Sequence, residues 1–388
     1  MNAANPGQPH IIDTDWLSVA TVTVGITVFA VAQGLTYPLI SLLLAERGVS
    51  ETIVGLNAAA FMLGLAISVL IVPALTKHLR AGQVIVAGLA GAAVTLIGFA
   101  VTDALAIWFL LRFILGFCVN AIYVFGEAWL NAASDDTVRG RVAGIYSAGM
   151  TLGFVIGPLA IPVFGTEDGL AFAACAVLIS LVAFGLGIMS RRARIEPDKL
   201  ALADLPRFAR AAPMLILLVL AFGFVDATVL SLAPLHMLDG GASAAAAATF
   251  IAVMHIGMIV AQPLLGVLLD RMDRWRVAIG CLAATGLIFG LLIFTPTTGT
   301  LVWLLGAVGG AAFFGIYTSA LAILGQEHKG PMLVAGASAF SLAYAAGGVA
   351  GPAATGALVN MVPGTTFGIV AILAVSSALV LMWRTRKS

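Results

Sequence analysis

The sequence is poor in charge. Asp, Glu, Lys and Arg make up 10% of its 388 residues, and 61% of the residues are hydrophobic. A soluble domain carries roughly 25% charged residues, so a soluble fold is excluded. We expect an all-α membrane protein. The net charge of +1 indicates no particular partner, because in a membrane protein the positions of the charges matter more than their sum.

Cysteine and metal-binding patterns are also scarce. Cys118, Cys175 and Cys281 lie far apart in apolar stretches, which is typical of small buried side chains and not of a disulfide or metal site. No His, Cys or carboxylate cluster has metal-ligand spacing, and no Gly-Lys-Ser/Thr phosphate loop occurs. We therefore expect no enzyme, no bound cofactor and no direct use of ATP.

Long apolar runs, separated by short clusters of charge, proline or glycine, fill most of the chain. A bilayer-spanning helix needs about 20 apolar residues, and these runs are long enough. They predict twelve membrane-spanning helices, near residues 16–44, 51–76, 82–102, 104–130, 139–164, 168–190, 213–236, 243–270, 275–295, 299–324, 331–358 and 364–384.

The basic residues are distributed unevenly between the two sides of these spans. With twelve spans, the loops and tails on one side hold every Lys and Arg except Arg47, in an opposite loop, and Arg112, within a span. Basic residues favour the cytoplasmic side. The pattern predicts a multi-pass protein of the plasma (cytoplasmic) membrane, with both termini in the cytoplasm.

The two halves of the chain repeat each other. A shift of 193 residues aligns PALTKHLRAGQV, from Pro73, with GVLLDRMDRWRV, from Gly266. A shift of 194 aligns Gly153-x3-Gly157-Pro158 with Gly347-x3-Gly351-Pro352. Duplication of a six-helix unit is a common plan in transporters, and it places a pseudo-twofold axis along the membrane normal.

The repeat predicts a division into two bundles and a linker. The six-helix bundles are expected at residues 1–190 and 213–388, with a polar cytoplasmic linker at 191–212. The basic stretch within this linker is short, mixed with acids and adjacent to lipid. Contact with lipid headgroups explains it better than nucleic-acid binding.

The fourth span carries a polar stripe. At about 100° per residue, Arg112, Gly116, Asn120, Tyr123 and Glu127 fall within roughly 80° of one helix face. Each charge at membrane depth costs at least ~2.5 kcal/mol, so these groups should face protein or water. One face of this span therefore lines an interior.

The loop between the eighth and ninth spans reads Gly266-x3-Asp270-Arg271-x2-Arg274-x-Arg276. This pattern resembles the signature cytoplasmic loop of the major facilitator superfamily of secondary transporters, and the resemblance extends over essentially the whole chain. The resemblance implies two pseudo-symmetric six-helix bundles and charge pairs at this loop that break on opening. The first-half loop departs from the pattern, with Pro73 for the Gly and Lys77 for the Asp.

Two further motifs are similar to the same family. Arg112-x3-Gly116 resembles the buried-arginine motif of proton-coupled members, with Leu115 and Cys118 in place of the usual Gln and Gly. Gly144-x8-Gly153-x3-Gly157-Pro158 has the spacing of the antiporter motif, without its trailing glycine pair. The resemblance implies efflux against protons. The second-half copy of the Gly-Gly-Pro pattern leaves open a packing role shared by both halves.

Asp226 is the acidic residue that the sequence places deepest. It lies midway along the seventh span, and the repeat puts it opposite Gln33 in the first. Burial makes the charged form of a carboxylate costly, which suits a group that takes up and releases a proton as water access alternates. A structural hydrogen bond to a neighbouring helix is the alternative. His255 is either a proton relay to Asp226 or a neutral histidine bonded within the bundle.

The roles of the other polar residues remain open at this point. Arg112 could bind an anionic substrate, pair with Asp226, or tie span four to span one at Gln33. Glu127 either belongs to the proton pathway or is a helix-end carboxylate facing Arg139, Arg141 or water. Tyr37, one turn from Gln33, gives span one a polar face.

The sequence as a whole favours a monomeric transporter working by alternating access. We expect a small amphipathic or zwitterionic organic substrate, protons and membrane lipids as its partners, and efflux by proton antiport. The alternative within transport is a proton-coupled importer or facilitator of a small organic anion held by Arg112. A non-transporting membrane sensor would need a large soluble domain, which the sequence does not contain.

Overall fold

The computed structural model describes residues 15–75, 81–132, 138–189, 205–362 and 364–385. These residues form helices and no strand. The helices are α1 (Trp16–Glu46), α2 (Glu51–Leu75), α3 (Ala81–Val101), α4 (Leu105–Ala132), α5 (Arg139–Phe164), α6 (Leu170–Met189), α7 (Leu205–Ala211), α8 (Pro213–Asp239), α9 (Ala244–Arg271), α10 (Arg274–Leu292), α11 (Leu301–Glu327), α12 (Pro331–Met361) and α13 (Thr366–Thr385). All except α7 are long and apolar enough to cross a membrane.

The prediction of twelve spans in two bundles is confirmed. Helices α1–α6 pack into one bundle and α8–α13 into the other, with pairs such as α2–α4 and α9–α11 in corresponding places. We call the side where α1 begins and α13 ends the basic face, because most of the described Lys and Arg residues lie at the helix ends and connections on that side.

Glycine allows the closest helix packing within each bundle. A Cβ atom built on Gly116 of α4 would lie 1.9 Å from the backbone oxygen of Phe61 in α2. Its repeat equivalent, Gly310 of α11, would meet the oxygen of Met254 in α9 at 2.1 Å. Small residues let helix backbones approach in membranes, where packing replaces the hydrophobic effect as the driving force. The repeat in sequence is therefore also a repeat in packing.

Helices α2 and α12 form one of the two main seams between the bundles, and α5 and α9 form the other. A Cβ on Gly55 would lie 2.0 Å from the backbone oxygen of Pro352, and one on Gly356 would lie 2.3 Å from that of Glu51. The Thr52 hydroxyl donates to the Gly356 oxygen at 3.3 Å. Main chain touches main chain here, at the face opposite the basic face.

Polar side chains cap the N-termini of α1 and α10, and a glycine follows the C-terminus of α1. Asp15 begins α1 by accepting a hydrogen bond from the Ser18 backbone N–H at 3.2 Å, and Asp273 begins α10 by accepting one from the Arg276 N–H at 2.9 Å. Side-chain caps satisfy N–H groups that have no partner within a helix. Gly48, with φ +70°, turns the chain after α1.

Arg47 links the loop after α1 to the turn between α3 and α4, on the side opposite the basic face. Its guanidinium forms an ion pair with Asp103 and lies 4.3 Å from the ring centre of Trp108. The Trp108 indole N–H donates to the Thr102 oxygen at 2.6 Å. These contacts tie the end of α1 to the α3–α4 turn within the first bundle.

Helix α7 was not predicted, since residues 205–211 lie in the stretch interpreted as a polar linker. Phe208 in this helix is fully buried. Its ring centre lies 5.1 Å from that of His328 and 6.4 Å from that of Phe340. The predicted linker therefore ends in a helix that packs on the second bundle, and residues 190–204 lie outside the described ranges.

Candidate functional site

The candidate site lies where the bundles meet around α1 and α8. These are the most buried of the candidate spans, and they contact each other across the two bundles. A helix buried on all sides inside a membrane protein is surrounded by other helices, so its polar side chains must find partners there. Gln33 and Tyr37 lie on α1, and Asp226 lies midway along α8.

Asp226 is held by a tyrosine that sequence reasoning missed. The Tyr344 hydroxyl, from α12, donates to Oδ2 of Asp226 at 2.7 Å, and Asp226 is 8% exposed. A signal was available, because the Gly347-x3-Gly351 pattern predicts close packing of this span. In the structure a Cβ on Gly223, one turn before Asp226, would lie 2.3 Å from the Tyr344 backbone oxygen.

Gln33 and Tyr123 make the α1–α4 link. The Tyr123 hydroxyl donates to Oε1 of Gln33 at 3.2 Å, and its ring meets Phe29 edge-on at 5.9 Å between ring centres. The expected tie at Gln33 is thus present, but Tyr123 makes it. Because Gln33 is the repeat partner of Asp226, both bundles place a hydrogen-bonded polar group at this depth.

Arg112 is buried against aromatic faces. Its guanidinium carbon lies 4.5 Å from the ring centre of Tyr37 and 5.3 Å from that of Phe61, and the residue is 1% exposed. It forms no ion pair with Asp226, and its Nε and Nη1 atoms have no hydrogen-bond partner among the described residues. Arg112 therefore ties α4 to α1 and α2 through cation–π contacts.

The central polar residues act on one another electrostatically. Tyr37 lies within electrostatic range of Arg112, Tyr123 and Asp226, and Tyr344 lies within range of Tyr37. The Tyr37 hydroxyl is buried and has no hydrogen-bond partner among the described residues. We call the set the central cluster; its members are Gln33, Tyr37, Arg112, Tyr123, Asp226 and Tyr344.

Two predicted members of the polar stripe on α4 are not assigned to the central cluster. The side chains of Asn120 and Glu127 lie outside the described residues, although α4 continues through both positions. The prediction that Glu127 belongs to the proton pathway, and its helix-end alternative, both stay predictions.

His255 lies at the second seam between the bundles. Its ring stacks on Phe154 of α5 at 5.3 Å between ring centres, with 4° between the planes. Its Nδ1 pairs with the Ile251 backbone oxygen at 2.8 Å. The side chains of His255 and Asp226, both among the described residues, form no hydrogen bond with each other. The geometry therefore corresponds to the bonded-histidine alternative more closely than to a relay.

The glycines of the α5 motif serve packing on α1. A Cβ on Gly153 would lie 2.4 Å from the Thr27 backbone oxygen, and one on Gly157 would lie 2.4 Å from that of Val31. Pro158 follows directly and packs near Gly34, where a Cβ would lie 3.2 Å from the proline Cδ.

The second bundle repeats this α5 arrangement. A Cβ on Gly347 of α12 would meet the Leu220 oxygen of α8 at 2.1 Å, and one on Gly351 would meet the Phe224 oxygen at 2.4 Å. The close approach is therefore a property of both bundles, and it does not by itself indicate a transport direction.

The loop motif after α9 contacts α11. Arg274 donates from Nη1 to the Ala322 backbone oxygen of α11 at 2.5 Å. Asp270 and Arg271 are exposed, and among the described residues neither forms an ion pair. A Cβ on Gly266 would meet nothing within 4 Å. Residues 76–80 and 133–137, where other charged loop residues occur, lie outside the described ranges.

These features define a polytopic helical protein of two related bundles with a polar centre, the architecture of a secondary transporter. The sequence matches the Major Facilitator Superfamily over residues 22–333 and 215–388. The chain belongs to this superfamily, and it is a transporter and not an enzyme.

Named relatives agree with this assignment. An uncharacterized MFS-type transporter of Bacillus subtilis (strain 168), YfkF, is 25% identical over 340 residues, covering 85% of this chain and 86% of that protein. An uncharacterized MFS-type transporter of Yersinia pestis (strain Pestoides F) is 23% identical over 346 residues, covering 87% of each.

Solved structures share the fold at low sequence identity. The nucleoside transporter NupG superposes with a TM-score of 0.79 at 17% identity, covering 94% of this chain and 98% of NupG. A bacterial homolog of the human lysosomal transporter Spinster, in an inward-facing and occupied conformation, gives 0.77 at 14% identity over 98% of each chain. These likenesses describe the fold alone.

Proposed function

We propose that this protein exports a small organic solute in exchange for protons, by alternating access between the two bundles. The observation that carries the proposal is Asp226. It is a buried carboxylate at mid-depth between the bundles, and its described hydrogen-bond partner is a neutral tyrosine. A carboxylate without a cationic partner can exist in protonated and ionised forms, according to which side of the membrane supplies its water.

Arg112 gives the central cluster a fixed positive charge. With Asp226 ionised, the two opposite charges balance; with Asp226 protonated, the cluster is positive. Each change of protonation therefore changes the electrostatic free energy of a bound solute, which is the coupling that antiport requires. The choice of export rests on the resemblance of the α5 sequence motif to that of antiporters, because the glycine packing itself occurs in both bundles and sets no direction.

The membrane and the moving parts belong to the same proposal. The excess of Lys and Arg on the basic face supports a cytoplasmic position for that face and for both termini, in the plasma membrane of the cell. The bundles at residues 1–190 and 213–388 would rock as units, connected by the linker at 191–212. Protons and membrane lipids are then its partners besides the solute.

A second candidate function is import of a small organic anion. The unpartnered Nε and Nη1 atoms of Arg112 favour it, because a buried guanidinium with free donors can bind a carboxylate in bidentate fashion. Flux in proteoliposomes separates the two functions. Solute that accumulates on the side that receives protons supports import, and solute that moves against the proton flow supports export.

The test of proton coupling begins with a thermal-shift screen of organic solutes on the purified protein. Hits are then added to proteoliposomes that contain the pH indicator pyranine. The wild-type protein should move protons when the solute moves. Asp226→Asn should abolish this proton movement while a solute hit still binds detectably, and Glu167→Gln, at an exposed carboxylate outside the cluster, should leave it unchanged. Solute-driven proton movement that persists in Asp226→Asn would exclude Asp226 as the proton carrier.

A further inference from the structure

An aromatic group lies beside Asp226. Phe222 precedes Asp226 by one helical turn on α8, so both side chains share a helix face. The Phe222 ring centre lies 5.0 Å from that of Tyr317, 5.7 Å from that of Tyr344 and 5.8 Å from that of Phe314. We call Phe222, Phe314, Tyr317 and Tyr344 the aromatic group. Tyr344 joins it directly to the carboxylate.

The aromatic group and Asp226 both attract cations. The face of an aromatic ring carries partial negative charge and attracts cations. An ionised carboxylate does so more strongly, and in a low-dielectric interior the attraction is large. Phe314, Tyr317 and Tyr344 are each only partly buried, so each ring keeps some accessible surface.

The protein's own buried cation is already engaged elsewhere. Arg112 lies over the rings of Tyr37 and Phe61 and forms no ion pair with Asp226. The repeat places Gly306 at the position equivalent to Arg112. The second bundle therefore provides no mid-depth arginine of its own for Asp226, and the carboxylate stays available to a cation from outside.

We propose that Asp226 and the aromatic group form the substrate-binding surface, and that this surface takes a monovalent organic cation with aromatic substituents. The inference rests on the proposed transport function and names its substrate class. The charged centre lies against Asp226, and flat apolar groups of the substrate stack on Tyr317 and Tyr344. Phe222 supports these rings from behind.

Competition with protons follows from the same arrangement. A proton and an organic cation would both use the Asp226 carboxylate. With both bound, the protonated carboxyl group is neutral, and the organic cation and Arg112 remain as two positive charges with no anion to balance them in a poorly solvated interior, which is unfavourable. The two cations therefore exclude each other, and the cation should leave as Asp226 takes up a proton.

The experiment compares two ions of almost the same shape and opposite charge, tetraphenylphosphonium and tetraphenylborate. Binding of each is measured on the purified full-length protein by a scintillation proximity assay at pH 8 and pH 5.5. We expect tetraphenylphosphonium to bind at pH 8 and to be released by acid, and tetraphenylborate to bind more weakly. Stronger binding of the borate, or no binding of the phosphonium ion, would overturn the proposal.

Variants locate the surface. Asp226→Asn should weaken phosphonium binding at least about 30-fold, as loss of one partner of a buried charge pair does, and remove its pH dependence. Tyr317→Leu should weaken it by up to about 10-fold, since it removes a ring on which the ligand stacks. Phe222→Leu should also weaken it, because it removes the ring that supports Tyr317 and Tyr344. The matched control is Phe289→Leu, a fully buried ring of the same bundle that packs on Phe367 away from Asp226.

The outcomes separate this inference from the proposed function. If Phe222→Leu and Tyr317→Leu bind the phosphonium ion as tightly as Phe289→Leu does, the assigned surface is wrong. If the protein shows Asp226-dependent proton movement with an anionic solute, the substrate class is wrong but proton coupling stands. If solute-driven proton movement does not depend on Asp226, the proposed function itself fails.

Discussion

The α5 motif offers a direct test of packing against function, through Gly157→Ala. The added Cβ would lie 2.4 Å from the Val31 backbone oxygen, whereas ordinary contacts begin near 3.4 Å. Helix α5 would therefore have to move about 1 Å away from α1, and overpacking of this kind costs about 1–3 kcal/mol. The higher helix propensity of alanine offsets up to about 1 kcal/mol of this cost. We expect a net loss of roughly 1–2 kcal/mol in the free energy of unfolding.

Two matched variants make this result interpretable. Gly144→Ala alters the same helix and the same motif, but its Cβ would meet nothing within 4 Å, so it should not lower stability. Gly351→Ala introduces the same 2.4 Å contact in the second bundle, with the Phe224 oxygen, and should cost as much as Gly157→Ala. Of these three glycines, Gly144 and Gly157 belong to the antiporter-like motif and Gly351 does not.

The assay is thermal unfolding of purified protein in detergent, followed by size-exclusion recovery after heating, together with solute flux in proteoliposomes. Gly157→Ala and Gly351→Ala should both unfold a few degrees below wild type. If Gly157→Ala is as stable as Gly144→Ala, the packing argument is refuted. If Gly144→Ala is stable and inactive, the motif has a role in transport beyond helix packing.

Three other predictions concern contacts outside that motif. Arg112→Lys should lower the unfolding temperature, because an ammonium group lacks the flat face that stacks on aromatic rings, whereas Tyr37→Phe keeps the ring and should remain as stable as wild type in the same assay. Phe208→Ala should release α7 from the second bundle, since truncation of a buried Phe costs about 3–5 kcal/mol; limited proteolysis should then cut within residues 205–211, and an uncut chain would contradict the docking. Asp103→Asn should leave thermal stability unchanged, because the exposed ion pair with Arg47 contributes little, and a marked loss would show that this contact matters more than its exposure indicates.

The helices and their mutual packing could be predicted because their signals are local and periodic. Apolar runs fix the spans, and the glycine pattern around Gly153 and Gly347 marks the faces that approach closely. The equal depth of Gln33 and Asp226 followed from the repeat alone. In the structure these faces bring α5 onto α1 and α12 onto α8.

The partners of the polar residues were less predictable, because depth along a helix does not give direction across the bundle. The sequence left Gln33, Asp226 or a substrate open as partners of Arg112. In the structure its guanidinium lies on Tyr37 and Phe61, and binding of a substrate by Arg112 stays a prediction. Phe61 is apolar and gives no sequence signal of a cation site. The sequence does not indicate Tyr344 as the partner of Asp226, because the glycine pattern of α12 predicts close packing of this helix but not which of its side chains faces the carboxylate.

The short helix α7 shows a different limit. Its seven residues include two arginines and were predicted to belong to a polar linker. The helix propensity of so short a segment is weak. Its position depends on Phe208, whose burial against His328 and Phe340 is a tertiary contact. Only the folded second bundle provides that surface.

The two main seams between the bundles differ in which atoms meet across them. At the α2–α12 seam, backbone carbonyl groups of each helix pack directly on glycines of the other. Separating the two helices there would remove these backbone contacts along the seam. At the α5–α9 seam, the repeat position of Met62 and Gly348 is taken by His255 and Phe154, two flat rings that can slide over each other. A rotation axis lying near α2 and α12 would therefore disturb the fewest close contacts, and most of the relative displacement would fall on the side of the stacked rings.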